Sequence, residues 1–235
     1  AYIEGLRDGA EFISQARETA GNMPIIAVKS GRTAMGSRAV SSHTGSLAGA
    51  DAAYSAGFKQ AGVIRAETVE ELFDFSTAFA YQPLLKGKRI AIVTNAGGPG
   101  VMATDALELN GLALASLSAE TQAYLESQLP AAASAHNPVD VLGDARSDRY
   151  MMALEAVLAD DNVDGALVIV TPQTSTEIVE TARGDVEVCS RASKPILGCW
   201  MGKQEAMAGI DILAKNRVPN YHFPERAVNA FGAMW

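Results

Sequence analysis

Cysteine is scarce in this chain: two residues, Cys189 and Cys199, among 235. They are neither closely spaced nor accompanied by histidines, which argues against a disulfide framework and a zinc-type ligand set. Two reduced, partly buried thiols are expected, and no metal site. Positive charge is also in short supply, with 19 Lys and Arg against 27 Asp and Glu and a formal charge of −8. A nucleic-acid surface needs clustered Lys and Arg, so that partner is set aside. An anionic ligand would need local donors rather than the overall field. Long apolar runs are missing. Stretches such as Gly165-Ala166-Leu167-Val168-Ile169-Val170 are strand-sized and well short of a membrane span, so no membrane partner is expected. No basic, apolar, small-residue leader opens the sequence, which makes a cytoplasmic location the expectation. What is present is a globular composition, 48% hydrophobic and 20% charged, in a chain long enough for one large domain or two modest ones.

Short β-branched runs alternate with amphipathic stretches from end to end. Strands are expected at Tyr2-Ile3-Glu4-Gly5, 24–29, 63–65, 89–94, 112–115, 165–171 and 195–199. Helices are expected over 10–20, 51–61, 68–80, 101–109, 118–128, 147–160, 174–190, 203–215 and after Pro224. Thr68 with Glu71 spells a capping box, and Ser118 is a second cap. Residues 32–49 read as a glycine- and serine-rich loop, 95–100 as a tight turn, and 129–143 as irregular. Gln82 to Lys88 reads as a linker, dividing the chain into domains 1–84 and 85–235. Strand and helix in alternation, joined by short loops, predict parallel sheets covered on both faces. Ligands of such sheets lie at the carboxyl ends of strands, which directs attention to loops 30–49 and 94–100.

In the first of these loops His43 stands among small and hydroxylated residues, Ala39-Val40-Ser41-Ser42-His43-Thr44-Gly45-Ser46-Leu47-Ala48-Gly49. Neutral imidazole attacks phosphorus or acyl carbon and becomes cationic in doing so, and a carboxylate beside it can hold the tautomer and stabilise the cation. A buried packing role is the alternative. The helix expected at 51–61 offers its N-terminus near the loop, with Asp51 as a competitor for any anion there. In the second loop, Thr94-Asn95-Ala96-Gly97-Gly98-Pro99-Gly100, the glycines admit a ligand close to the backbone and Pro99 suits a first helical turn. Orphan N–H groups at such a turn make an anion site, though a plain packing turn is an equal reading. The loop lacks the Gly-Lys-Ser/Thr ending of a Walker P-loop and is not G-x-G-x-x-G, which disfavours direct ATP or NAD readings. Lys29 and Arg32 are further candidates for attracting phosphate.

Taken in order, Val28-Lys29-Ser30-Gly31-Arg32, the Ser41-to-Gly49 loop, Thr94-to-Val101 and Asn137-Pro138-Val139-Asp140 resemble the NDP-forming acyl-CoA synthetases, the superfamily that includes succinyl-CoA synthetase. The resemblance spans nearly the whole chain, and the histidine loop is its most specific part. It implies two flavodoxin-like three-layer α/β/α domains with mainly parallel sheets, the first truncated at its start. It further implies an acid–thiol ligase interconverting acyl-CoA, ADP and phosphate with carboxylic acid, ATP and CoA, through an acyl phosphate and a phosphorylated His43. Tyr2-Ile3-Glu4-Gly5 matches the family's Tyr-x-Glu-Gly strand end, which makes Glu4 the candidate for supporting His43; a solvated strand-end carboxylate is the alternative. Ser42, Thr44 and Gly45, with Gly97, Gly98 and Gly100, are the implied phosphate-binding residues. Asn137 and Asp140 are candidates for shaping the second domain's side of the site, with a turn locked by Pro138 an equal alternative. His136, where the family often has glycine, and His222 are read as structural.

The same resemblance implies no covalently bound cofactor. CoA and ATP or ADP with Mg would be substrates, bound mainly by domains not visible in this sequence. A Rossmann-like CoA-binding domain and an ATP-grasp domain, in the same or a partner chain, are the expected partners, together with a second copy of the chain. The chain is therefore expected to be a fragment that does not complete the reaction alone. A different class remains open: a non-catalytic acyl-CoA or ligand-sensing module, as in synthetase-like protein acetyltransferases.

Overall fold

The computed structural model of the chain describes residues 1–44 and 49–235, with His43 and Thr44 described in backbone only. It divides into two compact units, Ala1–Ser76 and Thr77–Trp235. Both are α/β with parallel sheets.

In the first unit three strands, β1 (Tyr2–Ile3), β2 (Ile26–Lys29) and β3 (Ile64–Ala66), pair in parallel in the order β1-β2-β3. Ile3 lies opposite Lys29 and Val28 opposite Ala66, so the chain positions after these residues share the carboxyl end of the sheet. Helices α1 (Gly9–Ala20) and α3 (Asp51–Ala61) pack against each other over a small core of Ala16, Ala27, Phe58, Ala61 and Val63. Phe58 meets Phe12 at 5.9 Å and Tyr54 edge-on at 6.1 Å between ring centroids, arrangements that aromatic quadrupoles favour. Asp8 caps α1 by accepting from the N–H groups of Ala10 and Glu11, and Gly62 closes α3 in the left-handed conformation. Helix α4 (Val69–Tyr81) starts at Thr68, whose hydroxyl accepts from Glu71 N. The Glu71 carboxylate reaches back one residue further than a capping box requires, to the N–H of Glu67 at 2.7 Å.

One expectation is overturned here. Residues 34–44 are helix α2 (Ala34–Thr44), not loop. Thr33 starts it, its hydroxyl accepting from Gly36 N at 3.1 Å and its carbonyl from Ser37 N at 2.8 Å. The glycine within it is needed for close approach: a Cβ on Gly36 would stand 3.2 Å from Gly31 Cα. The serine and glycine content masked a run, Ala34-Met35 and Arg38-Ala39-Val40, that sustains a helix with Val40 as its buried contact.

The second unit holds β4 (Arg89–Thr94), β5 (Ala113–Leu114), β6 (Val139–Asp140), β7 (Gly165–Val170), β8 (Ile196–Trp200) and β9 (Asn220–Tyr221). The order β5-β4-β7-β8-β9 is the flavodoxin-like 2-1-3-4-5 arrangement, with β6 continuing along β4 beyond β5. Every residue of β7 and β8 is buried, as parallel strands covered on both faces must be. The core joins Val93, Val168 and Val170 to Tyr150 and Leu154 of α7 (Ser147–Ala159), Val188 of α8 (Ile178–Arg191), Trp200, and Leu213 of α9 (Lys203–Lys215). Ser118 caps α6 (Ala119–Gln128), and α10 (Pro224–Met234) packs on α5 (Gly97–Leu109). Helix α5 begins four residues earlier than expected, because Gly97, Gly98 and Pro99 form its first turn rather than a preceding loop. Strands β6 and β9, two residues each, carry too short a pattern to be seen in sequence. Among the described residues, no helix is long and apolar enough to cross a membrane.

Candidate active site

At the carboxyl end of the first sheet, Glu4 directly follows β1 and is half-buried. Ser30 N donates to the Ile3 carbonyl at 3.0 Å, which sets the end of β2 beside it. Lys29 is 2% exposed. Its ammonium donates to the Ser30 carbonyl and stands 4.6 Å from the centre of the Tyr54 ring, a cation–π contact. Burial lowers its pKa, Asp51 and Glu4 pull it upward, and Arg65 adds to the lowering. The Tyr54 hydroxyl is held in turn by Leu6 N at 3.0 Å. Lys29 is thus a buried charge among protein groups rather than an exposed attractor of phosphate.

Arg32 is also engaged, with Asp51 at 3.6 Å and with the Glu67 carboxylate. Asp51, the anion foreseen at the start of α3, is bound by Arg65. Burial works against its ionisation, yet the Arg65 hydrogen bonds and the charges of Arg65 and Arg32 outweigh burial and lower its pKa. Nothing in the sequence had singled out Arg65 or Glu67; the available signal was a basic residue inside a short strand at the end of the first sheet. His43 lies on α2, one turn beyond the buried Val40, and Ser42 beside it is exposed. The side chains of His43 and Thr44 and all of Gly45 lie outside the described residues.

At the carboxyl end of the second sheet, the strand order reverses at β4, the place where doubly wound sheets open a crevice. Asn95 ties β4 to the residue after β7 there. Its amide donates to the Thr171 carbonyl at 2.8 Å, and its oxygen accepts from Thr171 N and Oγ1 at 2.9 and 3.0 Å. Thr94 Oγ1 accepts from Ala96 N at 3.1 Å and donates to the Ala96 carbonyl at 2.9 Å, which turns the chain into α5. The N-cap, Ala96, has no capping side chain, and the first turn of α5 contains no acidic residue. Gly97 and Gly98 are exposed, and a Cβ on Gly98 would meet nothing within 4 Å. Their N–H groups belong to the first turn, where a helix supplies no acceptor. Gly100 is different: a Cβ there would press on Thr94 Cγ2 at 3.2 Å and Pro138 Cβ at 3.5 Å, so its glycine serves packing.

Asn137 spends its side chain on the sheet. Its oxygen accepts from Ile92 N at 2.8 Å and its amide donates to the carbonyls of Ile90 and Ala115, both at 3.0 Å. It bridges the gap where β5 ends and β6 begins. Asp140 accepts from Leu142 N through Oδ1, and its Oδ2 lies 3.8 Å from where a Cβ on Gly97 would be. His136 is exposed, its carbonyl accepting from Ser134 Oγ, and His222 is exposed. The two cysteines are free, and burial pushes both thiols up to about 12, which favours the neutral thiol over the reactive thiolate. Among the described residues no group of three or more His, Cys, Asp or Glu is placed to hold a metal ion.

Two domain families match the chain in succession. The succinyl-CoA ligase like flavodoxin domain matches residues 1–79 and the Ligase-CoA domain matches residues 90–235. The sequence is 41% identical to acetate–CoA ligase [ADP-forming] I of Archaeoglobus fulgidus over 99% of this chain and 33% of that protein. It is 40% identical to the alpha subunit of acetate–CoA ligase [ADP-forming] II of Pyrococcus furiosus, over 99% of this chain and 52% of the subunit. The fold superposes with a TM-score of 0.92 and 35% identity on the dinucleotide-forming acetyl-coenzyme A synthetase 1 of Candidatus Korarchaeum cryptofilum in complex with phosphate and ADP, over 99% of this chain and 51% of that one. The chain thus spans between a third and about half of the length of these proteins.

Proposed function

The chain belongs to the NDP-forming acyl-CoA synthetase family, and on that premise we propose that it is the part of such a synthetase that carries the phosphoryl-transfer histidine. The observation that carries the reading is the continuous likeness, through both units, to a synthetase whose structure holds phosphate and ADP. The open, uncapped first turn of α5 supports it as a place for a phosphoryl group.

In the proposed sequence, phosphate attacks the thioester carbonyl of an acyl-CoA, the C–S bond breaks, and CoA leaves with a proton. The resulting acyl phosphate meets His43. The imidazole lone pair forms a P–N bond as the P–O bond to the acyl group breaks, and a carboxylate is released. Attack requires the neutral ring and leaves it cationic, so Glu4 is assigned to hold the other ring nitrogen's proton and balance that charge. An ADP oxygen then takes the phosphoryl group from His43, giving ATP and returning neutral imidazole. The exposed N–H groups of Gly97 and Gly98 are assigned to the phosphoryl oxygens, with Ser42, Thr44 and Gly45 as ligands on the histidine's own segment. Asp140 is assigned a shaping role beside Gly97. Gly100 and Asn137 serve the same region by packing and by holding β4, respectively.

CoA, ATP or ADP and Mg enter this scheme as substrates. A Rossmann-like CoA-binding domain and an ATP-grasp domain, in the same chain or a partner, would supply most of their contacts in a cytoplasmic homo-oligomer. The test is alkaline-quenched labelling of the full-length protein with ATP labelled in the γ-phosphate, with the label mapped by mass spectrometry. Label on His43, absent in His43→Ala and slowed in Glu4→Gln, is the expected result. A nucleotide-binding preparation that places no label on His43 would overturn the reading in favour of a sensing module.

A further inference from the structure

Arg32 and Asp51 stand on either side of the stretch 33–50, which contains α2 and His43. These two bracketing residues are ion-paired to each other, Arg32 Nε lying 3.6 Å from Asp51 Oδ1. Both are also bound to the end of β3. Arg65 Nη2 reaches Asp51 Oδ1 and Oδ2 at 2.8 and 2.9 Å. Arg65 Nη1 donates to Ser55 Oγ at 2.5 Å and to the Asp51 carbonyl at 3.5 Å. A single ammonium could not make this spread of bonds from one planar fork. Arg65 Nε stands 3.2 Å from Glu67 Oε1, off the hydrogen-bond axis. Glu67 pairs in turn with Arg32 Nη2, and its carbonyl accepts from Arg32 Nη1 at 3.3 Å. Arg32, Asp51, Arg65 and Glu67 therefore close a ring of alternating charge with no net charge of its own.

Such a ring is a poor source of stability. Its side chains range from 13% exposed at Arg65 to 50% at Glu67, and ion pairs open to water contribute little net stability. Its distinctive property is place: it brings both ends of 33–50 to one point at the carboxyl end of the first sheet. Asp51 is also the strongest attractive charge on buried Lys29, with Glu4 the next, so the same charges extend toward the end of β1.

We propose that this ring is the fixed base of the histidine-bearing helix, with Arg65 as its positioning residue, holding α2 in one register so that His43 is presented consistently to Glu4 and to its phosphoryl donors. The inference rests on the phosphocarrier reading of His43. It assigns no contact between Arg65 and substrate; Arg65 acts through Asp51 and Glu67.

The test compares Arg65→Met, Arg65→Lys and Asp51→Asn in the full-length protein by two readouts. One is hydrogen exchange across α2 and the first turn of α3. The other is the rate of His43 labelling from ATP with Mg at saturating nucleotide. Arg65→Met is expected to speed exchange in α2 by about tenfold and to slow labelling by about ten- to a hundredfold. The melting midpoint and the KM for ATP should stay near wild type, a split that a merely structural role would not give. Arg65→Lys should fall between, and it carries the comparison if the methionine variant melts early. The double variant Arg65→Met with Asp51→Asn should be no slower than the slower single one, because both act through one pair. Unchanged exchange in α2, or faster exchange with labelling within about twofold of wild type, overturns the proposal. Absence of label on wild-type His43 would instead defeat the phosphocarrier reading, and the exchange readout would separate that result from failure of the ring.

Discussion

At the carboxyl end of the first sheet, Arg65 grips Asp51 with two charge-assisted bonds and stands within 3.2 Å of Glu67, in side chains partly open to water. At the same end of the second sheet Asn95 joins β4 to Thr171 through three neutral bonds, and midway along β4 Asn137 ties it to the residue after β5 through three more. The charged ring can trade its partners for water at little cost. The amide stitches cannot, because the backbone groups they satisfy are buried inside a covered parallel sheet. The first arrangement fixes position with little stability, and the second fixes both.

The largest separation between the two regions should come with pH. Burial pushes Asp185 of α8 up from 3.8 to about 7, with a lesser opposing effect from Trp200. The folded second unit therefore keeps a proton that the unfolded chain loses near pH 4. Its stability should fall as pH rises from about 4 to about 7, by about 4 kcal/mol in total, and then level off. Asp51 in the first unit is shifted the other way, so its contribution is present above its ordinary 3.8 and is lost as pH falls through its lowered value. Denaturant midpoints measured from pH 4 to 8 should show the falling slope, and Asp185→Asn should flatten it. The neighbours Tyr150 and Cys189 stay neutral across that range, since burial raises both.

Asn137→Ala should cost the second unit about 3 kcal/mol, by stranding the Ile92 N–H and the Ala115 carbonyl in the sheet. Urea unfolding followed by tryptophan fluorescence would measure it, since Trp200 and Trp235 both lie in the second unit. A smaller loss, about 1–3 kcal/mol, is expected from Gly209→Ala, whose new Cβ would lie 2.3 Å from Trp200 Cζ3. Arg65→Met should be the smallest in stability, about 1 kcal/mol or less, while having the larger effect on histidine labelling. If Arg65→Met destabilised as much as Asn137→Ala, the contrast between the charged ring and the amide stitches would collapse.

Much of this was legible in the sequence. The fully apolar run 165–170 announced a strand covered on both faces, Ser118 and Thr68 announced helix starts, and the alternation of elements announced parallel sheets. Helix α2 was not legible, because Ser, Gly and Thr weaken helical propensity and the signal that overrides them is one buried contact at Val40 together with a cap at Thr33. The role of Asn137 was not legible either, since a side chain that substitutes for sheet bonds between β5 and β6 leaves no periodic trace. The ring was invisible for a simpler reason: Arg32, Asp51, Arg65 and Glu67 are brought together only by the pairing of β2 with β3 and the start of α3. Glu4 and His43 stood out by their neighbours in the chain, and Arg65 had none to mark it.

His43 is the residue to test first, and the most direct measurement is the site of acid-labile label in the full-length protein after brief exposure to ATP labelled in the γ-phosphate, with Mg and an alkaline quench. Label on His43, none in His43→Ala and slower appearance in Glu4→Gln are the expected results. Label on another residue, or none on any histidine in a protein that binds nucleotide, would rule out His43 as the phosphoryl carrier.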